Sequence, residues 1–345
     1  MTLRVAAVGT GWVTLNRHVP WLRRTPGVEV IGLIDRNPDR AEAARARLRL
    51  PRVAAATGPE GVPWLDQADA VSIGTPPQTH HALAAAYLHA GKHVLLEKPM
   101  AMTPSEGRDL VRLAERADRV LAVVQNFQFA RSVRKLRALV EDGSLGEVRS
   151  IRATQLSNPA RRLPEWYEEL PLGLFYDESP HFFYLLRALA GAEPRLAASE
   201  IVPSAGGRRT PASVTLRFDC EGLPVHVAMD FEATVSEWQV AVLGSRLLAV
   251  VDVFRDVLVV LPNDGPHRAR EILGTTYAAV TSHLWGVATS GALHLLGRLA
   301  YGNDEVMRRF AAACVEGTPP EGISARDGLK TLELQHAVLA AVGPS

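Results

Sequence analysis

Three groups of residues in this chain have the types and spacing that chemistry needs. Val5-Ala6-Ala7-Val8 runs directly into Gly9-Thr10-Gly11-Trp12-Val13-Thr14. An apolar strand that ends in Gly-x-Gly and opens a helix suits a pyrophosphate. Its glycines permit a tight turn and close backbone approach, and the helix N-terminus offers free N–H groups and a positive dipole end. Thr14 replaces the third glycine of that pattern. Asp35 closes the next apolar run, at about the distance where an acidic side chain accepts from adenosine ribose hydroxyls. Arg36 beside it can stack on adenine or pair with a phosphate. The second group is Lys98, in Glu97-Lys98-Pro99 after the apolar run His93–Leu96. The carboxyl end of a parallel strand is the edge at which α/β sheets bind ligands. Asp177 and His181 form the third group. On a helix their spacing puts them on one face. If Pro180 starts the helix instead, the loop must fold Asp177 back toward His181. A carboxylate beside an imidazole fixes its tautomer and raises its basicity, which serves proton transfer.

These groups need elements to hold them. Short apolar runs alternate with helical patterns over the first third of the chain, the signature of a parallel α/β sheet. The pattern predicts strands at Leu3–Val8, Val28–Ile34, Ala70–Gly74, His93–Leu96 and Val120–Val124. Helices are expected near Val13–Arg24, Pro38–Leu48, Thr79–Ala90 and Pro104–Ala117. Asn37-Pro38 reads as an N-cap with proline in the first turn, and Thr103-Pro104-Ser105-Glu106 adds a capping box. After Val124 the pattern changes. A helix near Ser132–Glu141, a strand at Val148–Leu156 and a helix from about Pro180 to Leu189 precede β-type runs at Ser213–Phe218, Val225–Phe231, Trp238–Leu243 and Val257–Leu261. The tail returns to helix, with Ser324-Ala325-Arg326-Asp327 as a start for the last one. The division expected is a domain of residues 1–124 and a second of residues 125–345.

Composition narrows the function classes. The 345 residues carry 22% charged and 47% hydrophobic side chains and a formal net charge of +1. Such a balance gives no electrostatic reason for binding nucleic acid or an anionic membrane. Cys220 and Cys314 are the only cysteines. Two isolated thiols make neither a zinc cage nor a disulfide framework, so no metal site is expected. The apolar stretch Leu284–Tyr301 carries His294, Arg298 and three glycines, and falls short of a membrane span. With no signal-peptide layout at the N-terminus, the expected location is the cytoplasm.

A more specific pattern runs from Asp69 to Met102. Thr75-Pro76 follows a strand, His80 opens the next helix, Ala90-Gly91-Lys92-His93-Val94 leads into the fifth strand, and Glu97-Lys98-Pro99 ends it. Gln125-Asn126-Phe127 then sits at the domain crossing, Gly143-Ser144-Leu145-Gly146-Glu147-Val148 precedes a strand, and Asp327-Gly328-Leu329 opens the last helix. Over nearly its whole length the chain resembles the glucose-fructose oxidoreductase / inositol dehydrogenase family, often written Gfo/Idh/MocA. The resemblance implies an α/β protein: an N-terminal Rossmann domain and a C-terminal α+β domain with a large, open, predominantly antiparallel sheet. It implies NAD as cofactor, with NADP as the alternative, and homodimers or homotetramers built through the open sheet. Lys98 matches the family's catalytic lysine, Asp177 and His181 its acid–histidine pair, and the Lys98–Pro99 bond is expected to be cis. Cofactor contacts are expected from Gly9, Gly11, Trp12, Val13, Asp35, Arg36, Thr75, Pro76, His80, Glu97, Lys98, Gln125 and Asn126. The chain departs from the family where Tyr184 replaces a second aspartate, where Gln128 stands for an arginine, and at Glu178-Ser179-Pro180. Those changes put the usual polyol contacts in question.

The reaction expected is hydride exchange between nicotinamide and a carbinol or carbonyl carbon of a sugar, cyclitol or sugar derivative. Lys98 polarises the oxygen and relays its proton, His181 acts as general acid and base, and Asp177 orients His181. Further substrate contacts are expected from Arg161, Arg162, Trp166, Tyr167 and Tyr176. Two alternatives stay open: a ketoreductase of a nucleotide-linked sugar, whose phosphates the adjacent arginines could grip, and an enzyme whose bound cofactor is recycled in each turnover, giving net epimerisation, elimination or glycoside cleavage.

Overall fold

The structure is a computed structural model that describes residues 2–161 and 163–343. Its backbone forms two compact units. The first runs up to Asn126 and takes back Gly302–His336; the second comprises Phe127–Tyr301 and the chain from Ala337 onward. The expected division after residue 124 thus leaves out one exchange, because a stretch of the helical tail packs with the first unit.

The first unit is a six-stranded parallel sheet in the order β3-β2-β1-β4-β5-β6. Its strands are β1 (Leu3–Val8), β2 (Val28–Asp35), β3 (Val53–Ala55), β4 (Ala70–Ile73), β5 (His93–Leu96) and β6 (Leu121–Val123). All are near-continuous apolar runs, as strands covered on both faces must be. β3 is only three residues long, too short to give a periodic signal. The strand order reverses between β1 and β4, and ligands of such sheets bind outside the carboxyl ends of the strands at that reversal.

Helices α2 (Pro38–Leu48), α3 (His80–His89) and α4 (Pro104–Ala117) make the crossovers. Asn37 caps α2 by accepting from the Arg40 amide, and Thr103 with Glu106 closes the capping box of α4. The helix after β1 differs from the expected regular one. Thr14–His18 is a π-helical turn closed from the Val19 N–H to the Thr14 carbonyl, followed by the short α1, Val19–Leu22. Pro20 has no N–H to give, so the ladder is interrupted there in any case and the wide turn falls where it disrupts least.

The second unit is a seven-stranded sheet in the order β13-β12-β11-β7-β10-β9-β8. These strands are β7 (Val148–Leu156), β8 (Arg195–Val202), β9 (Ser213–Cys220), β10 (Leu223–Asp230), β11 (Glu237–Gly244), β12 (Leu247–Asp252) and β13 (Val257–Pro262). Every pairing is antiparallel except that of β10 with β7. Burial alternates along β7, β9 and β10, so one face is covered and the other exposed. Helix α6 (Leu174–Ala190) lies against β7 and β10, and α5 (Arg131–Glu141) against β12 and β13. The apolar stretch near residue 284 belongs to α7 (Ala269–Leu295), which packs on β13. Among the described residues no helix is long and apolar enough to cross a membrane. The tail helices are α8 (Asn303–Glu316) and α9 (Ala325–Val342).

Helix α6 starts earlier than the sequence suggests and carries Pro180 in its interior. The proline removes one backbone hydrogen bond. Burial of Phe175, Tyr176, Phe182 and Phe183 along the same helix outweighs that loss.

Candidate functional site

In the first unit the chain after β1 turns at Gly9, whose φ is +90°. A Cβ there would stand 2.8 Å from Thr75 Cγ2 and 2.9 Å from the Gly74 carbonyl oxygen. Glycine is required for both reasons, the left-handed backbone and the close approach. Opposite lies Gly74, where a Cβ would collide with the Thr14 hydroxyl. The contact that the missing third glycine would provide is therefore made the other way round. Buried Thr14 fills the space, Gly74 supplies the room, and the Thr14 hydroxyl donates to the Gly74 carbonyl at 3.3 Å. Gly11 and Trp12 are exposed, Val13 is half-buried, and the Arg17 guanidinium lies 5.2 Å over the Trp12 ring.

Asp35 ends β2 as expected. Its Oδ2 accepts from both the amide and the hydroxyl of Thr10, and its Oδ1 accepts from the Asn37 amide at 2.9 Å. A carboxylate has about four lone-pair sites, so room remains for a ribose hydroxyl. Arg36 is exposed beside it. A turn that admits no side chain at Gly9, with an anchored carboxylate one strand away, fits the adenosine and pyrophosphate of a dinucleotide.

Lys98 follows β5 in the same unit, and the Lys98–Pro99 peptide is cis. His80 opens α3 fully buried, with Nδ1 2.7 Å from the Pro99 carbonyl oxygen and Nε2 2.9 Å from that of Thr75. Burial pushes its pKa down, against the pull of those two carbonyls. The imidazole thus ties the loop after β4 to the one after β5. Glu97 accepts from the Lys98 amide at 3.0 Å and meets His18 Nε2 at 2.9 Å. Burial pushes the Glu97 carboxyl up; the His18 hydrogen bond and the neighbouring positive charges more than offset this and hold it below the usual range. Gln125 and Asn126 are buried, and the Gln125 amide donates to Asp327 O and Thr331 Oγ1 on α9.

In the second unit α6 carries Asp177 and His181 one turn apart, so the reading that starts the helix before residue 177 holds. His181 Nδ1 lies 2.7 Å from the Tyr184 hydroxyl, which also accepts from the Phe127 amide at 3.2 Å. The imidazole is boxed by the rings of Phe127 at 4.7 Å and Trp238 at 5.3 Å. Tyr184 stands where the family's second aspartate would be, and it supplies a partner for the imidazole.

Among the expected substrate contacts, Tyr176 lies in the first turn of α6. It is fully buried, because α6 begins at Leu174 and turns that ring into the core. Arg161 forms an ion pair with buried Glu178, which also accepts from Gln155. Trp166 and Tyr167 lie partly exposed on a 3₁₀ turn, Glu165–Glu169. Arg162 lies outside the described residues. The cofactor-directed residues and Lys98 belong to the first unit, and Asp177, His181 and Arg161 to the second. Sequence reading passed over His18 and Ser72, and it gave Thr10 and Glu178 no partner. The one signal for His18 was a histidine on the apolar face of the helix after Gly-x-Gly.

Comparison with known proteins bears on this geometry. Residues 3–125 match the oxidoreductase family with an NAD-binding Rossmann fold, and residues 133–248 match the GFO/IDH/MocA C-terminal domain. An uncharacterized oxidoreductase, YdgJ, of Escherichia coli is 30% identical over 181 residues, 52% of this chain and 51% of that protein. The chain spans about half the length, or less, of the first curated relatives it matches. Myo-inositol 2-dehydrogenase of Thermotoga maritima is 25% identical over 342 residues, 97% of this chain and 95% of that one. The crystal structure of GenD2 from gentamicin A biosynthesis, in complex with NAD, shares the fold with a TM-score of 0.79 at 19% identity, covering 99% of this chain and 94% of its own. An NAD-binding Rossmann fold joined to a mostly antiparallel C-terminal sheet, matched by both family domains, places the chain in the GFO/IDH/MocA family of oxidoreductases.

Proposed function

We propose that the chain is a nicotinamide-dependent dehydrogenase or reductase that moves a hydride to or from the carbinol carbon of an uncharged sugar or cyclitol. The observation that carries this reading is the single sheet edge that bears both the Gly9–Gly74 turn with anchored Asp35 and, after β5, Lys98. The first unit holds the cofactor and the second supplies substrate contacts. NAD is the preferred cofactor, because Asp35 stands where a 2′-phosphate would need to sit.

Bound nicotinamide would accept or supply the hydride at its C4. The chain's own groups handle the proton. Lys98 polarises the substrate oxygen and relays its proton, His181 takes or returns a proton as general acid and base, and Asp177 keeps the imidazole oriented from the same helix face. Gly9, Gly11, Trp12, Val13 and Arg36 bind and orient the adenosine and pyrophosphate. Thr75, Pro76 and His80 shape the nicotinamide end, with Gln125 and Asn126 behind them.

The ion pair of Arg161 with Glu178 favours an uncharged substrate over a nucleotide-linked one. A guanidinium already matched by a buried carboxylate has little left for a phosphate. Unpaired Cys220 and Cys314 support a reducing compartment, the cytoplasm. Self-association is part of the same reading. Support comes from the exposed sheet face and from the exposed side chains of Leu273, Tyr277, Val280, Leu284 and Trp285 on α7; sedimentation velocity tests it.

The deciding experiment follows nicotinamide absorbance with both cofactors across polyols, free sugars and nucleotide sugars. Reduced cofactor that accumulates with a free polyol or sugar supports the proposal. Turnover of nucleotide sugars alone overturns the substrate class, and product without free reduced cofactor overturns net redox in favour of internal recycling.

A further inference from the structure

Behind Lys98 lies a buried chain of hydrogen bonds that the proposed reaction does not use. His18 is fully buried at the end of the π-helical turn. Its Nδ1 meets the hydroxyl of buried Ser72, on β4, at 2.9 Å, and its Nε2 meets Glu97 Oε1 at 2.9 Å. Glu97 Oε2 then accepts from the Lys98 amide. We propose that His18 is a positioning residue for Lys98, acting through the Glu97 carboxylate; this rests on reading Lys98 as the reacting lysine.

The local backbone is shaped for this contact. Each residue of a helix advances about 100° around the axis, so one extra residue in a turn rotates every later side chain by that amount. The wide turn Thr14–His18 therefore sets where the imidazole points. The Glu97 carboxylate only accepts, so it calls for a ring hydrogen on Nε2, and the Ser72 hydroxyl can then donate to Nδ1. Glu97's side chain is only 13% exposed. A carboxylate so placed stays ionised through its partners, here the imidazole, the Lys98 amide and the Lys98 charge. In return, a fixed anion one residue away holds the proton on Lys98 and fixes the backbone from which its side chain starts. The titratable groups acting on this carboxylate are His18 and Lys98. His80, bound to the Pro99 and Thr75 carbonyls, lies in the field of both Glu97 and Lys98. A histidine that merely filled the core would leave Lys98 unchanged on replacement by an apolar side chain of similar size.

The chain's only lysines, Lys92, Lys98, Lys135 and Lys330, make a direct measurement possible. Reductive methylation with carbon-13 labels all four in the full chain, and loss of one signal in Lys98→Arg assigns Lys98. In His18→Leu the Lys98 titration midpoint is expected to fall by about half a pH unit or more, because the carboxylate loses the partner that keeps it charged. Glu97→Gln should lower it likewise, and the other three lysines should not move. His18→Gln, whose amide still reaches Glu97, should stay near wild type. With the polyol that wild type oxidises fastest, His18→Leu should lose about tenfold in kcat, the effect of misplacing a reacting group, while KM for cofactor stays unchanged. An unmoved Lys98 midpoint in folded His18→Leu overturns the proposal. Should that variant fail to fold, His18→Asn, whose shorter amide reaches Ser72 but not Glu97, replaces it under the same criterion. The spectroscopic result stands apart from catalysis. Retained turnover in Lys98→Ala would remove Lys98 from the reaction, and the tether would still be judged by the midpoint.

Discussion

Thr10 presents its amide and its hydroxyl to the same oxygen of Asp35, at 2.8 and 2.7 Å. The strand-end carboxylate is thereby fixed against the turn after β1, where the proposed function puts the pyrophosphate and the ribose. A 2′-phosphate would meet a like charge in place, a juxtaposition that costs several kcal/mol. Wild type should therefore favour NAD over NADP in kcat/KM. Asp35→Ser should move the ratio toward NADP by about tenfold or more. A wild-type preference for NADP would show that Arg36 governs the site.

Lys98→Ala should lower turnover by about 10²–10⁴-fold, the usual loss when proton transfer is removed. Cofactor affinity, followed by fluorescence titration, should change little. Turnover within severalfold of wild type would take Lys98 out of the mechanism.

The Tyr184 hydroxyl, bonded to His181 Nδ1, gives a graded test of the second unit. His181→Asn should slow the chemical step by about 10²-fold or more. Tyr184→Phe removes only one hydrogen-bond partner and should slow it about two- to tenfold. Single-turnover kinetics separate this step from product release. Equal rates in wild type and Tyr184→Phe would mean that the imidazole needs no partner there.

Glu305 should give the first unit a measurable acid dependence. The Arg308 guanidinium, then that of Arg309, draws its carboxyl from an ordinary 4.5 to about 2. A folded-state pKa below the unfolded one contributes stability that is complete above about 4.5 and lost as pH falls through about 2. The stability gap between wild type and Glu305→Gln should be constant above that window and close within it. Denaturant melts from pH 6 down to pH 2, on the order of the range in which carboxylates titrate, check this. A gap independent of pH would show that the arginines do not act on this carboxyl.

Local signals carried much of this architecture. The apolar runs of β1, β4 and β5 and the caps at Asn37 and Thr103 are written in adjacent residues, and α2 and α4 begin and end where those caps and patterns put them. The turn after β1 was legible for the same reason, since Gly9 meets a local backbone requirement, a positive φ. Contacts between distant residues were not legible. Nothing near Thr14 announces that Gly74 makes room for it, and nothing near Arg161 announces Glu178. The start of α6 was not legible because Pro180 reads locally as a helix start, whereas burial of the rings around it continues the helix through the proline. His18 escaped notice because its partners, Ser72 and Glu97, come from two later strands.

The returning stretch Gly302–His336 bears on how the protein is made. Val123 donates to Ile323 O at 2.8 Å, Ala122 bridges to Ser324, and Gly328 packs so closely on Val123 that no side chain would fit. The edge strand of the first sheet is thus covered by residues translated after Tyr301. As the polypeptide leaves the ribosome, the first sheet must wait with that edge open while everything from Phe127 to Tyr301 is synthesised. Contacts of such long sequence separation form slowly, and an open strand edge is where nascent chains stick to one another. Expression of the first 126 residues alone would freeze that waiting state, so a soluble cofactor-binding fragment needs residues 302–336 joined to it.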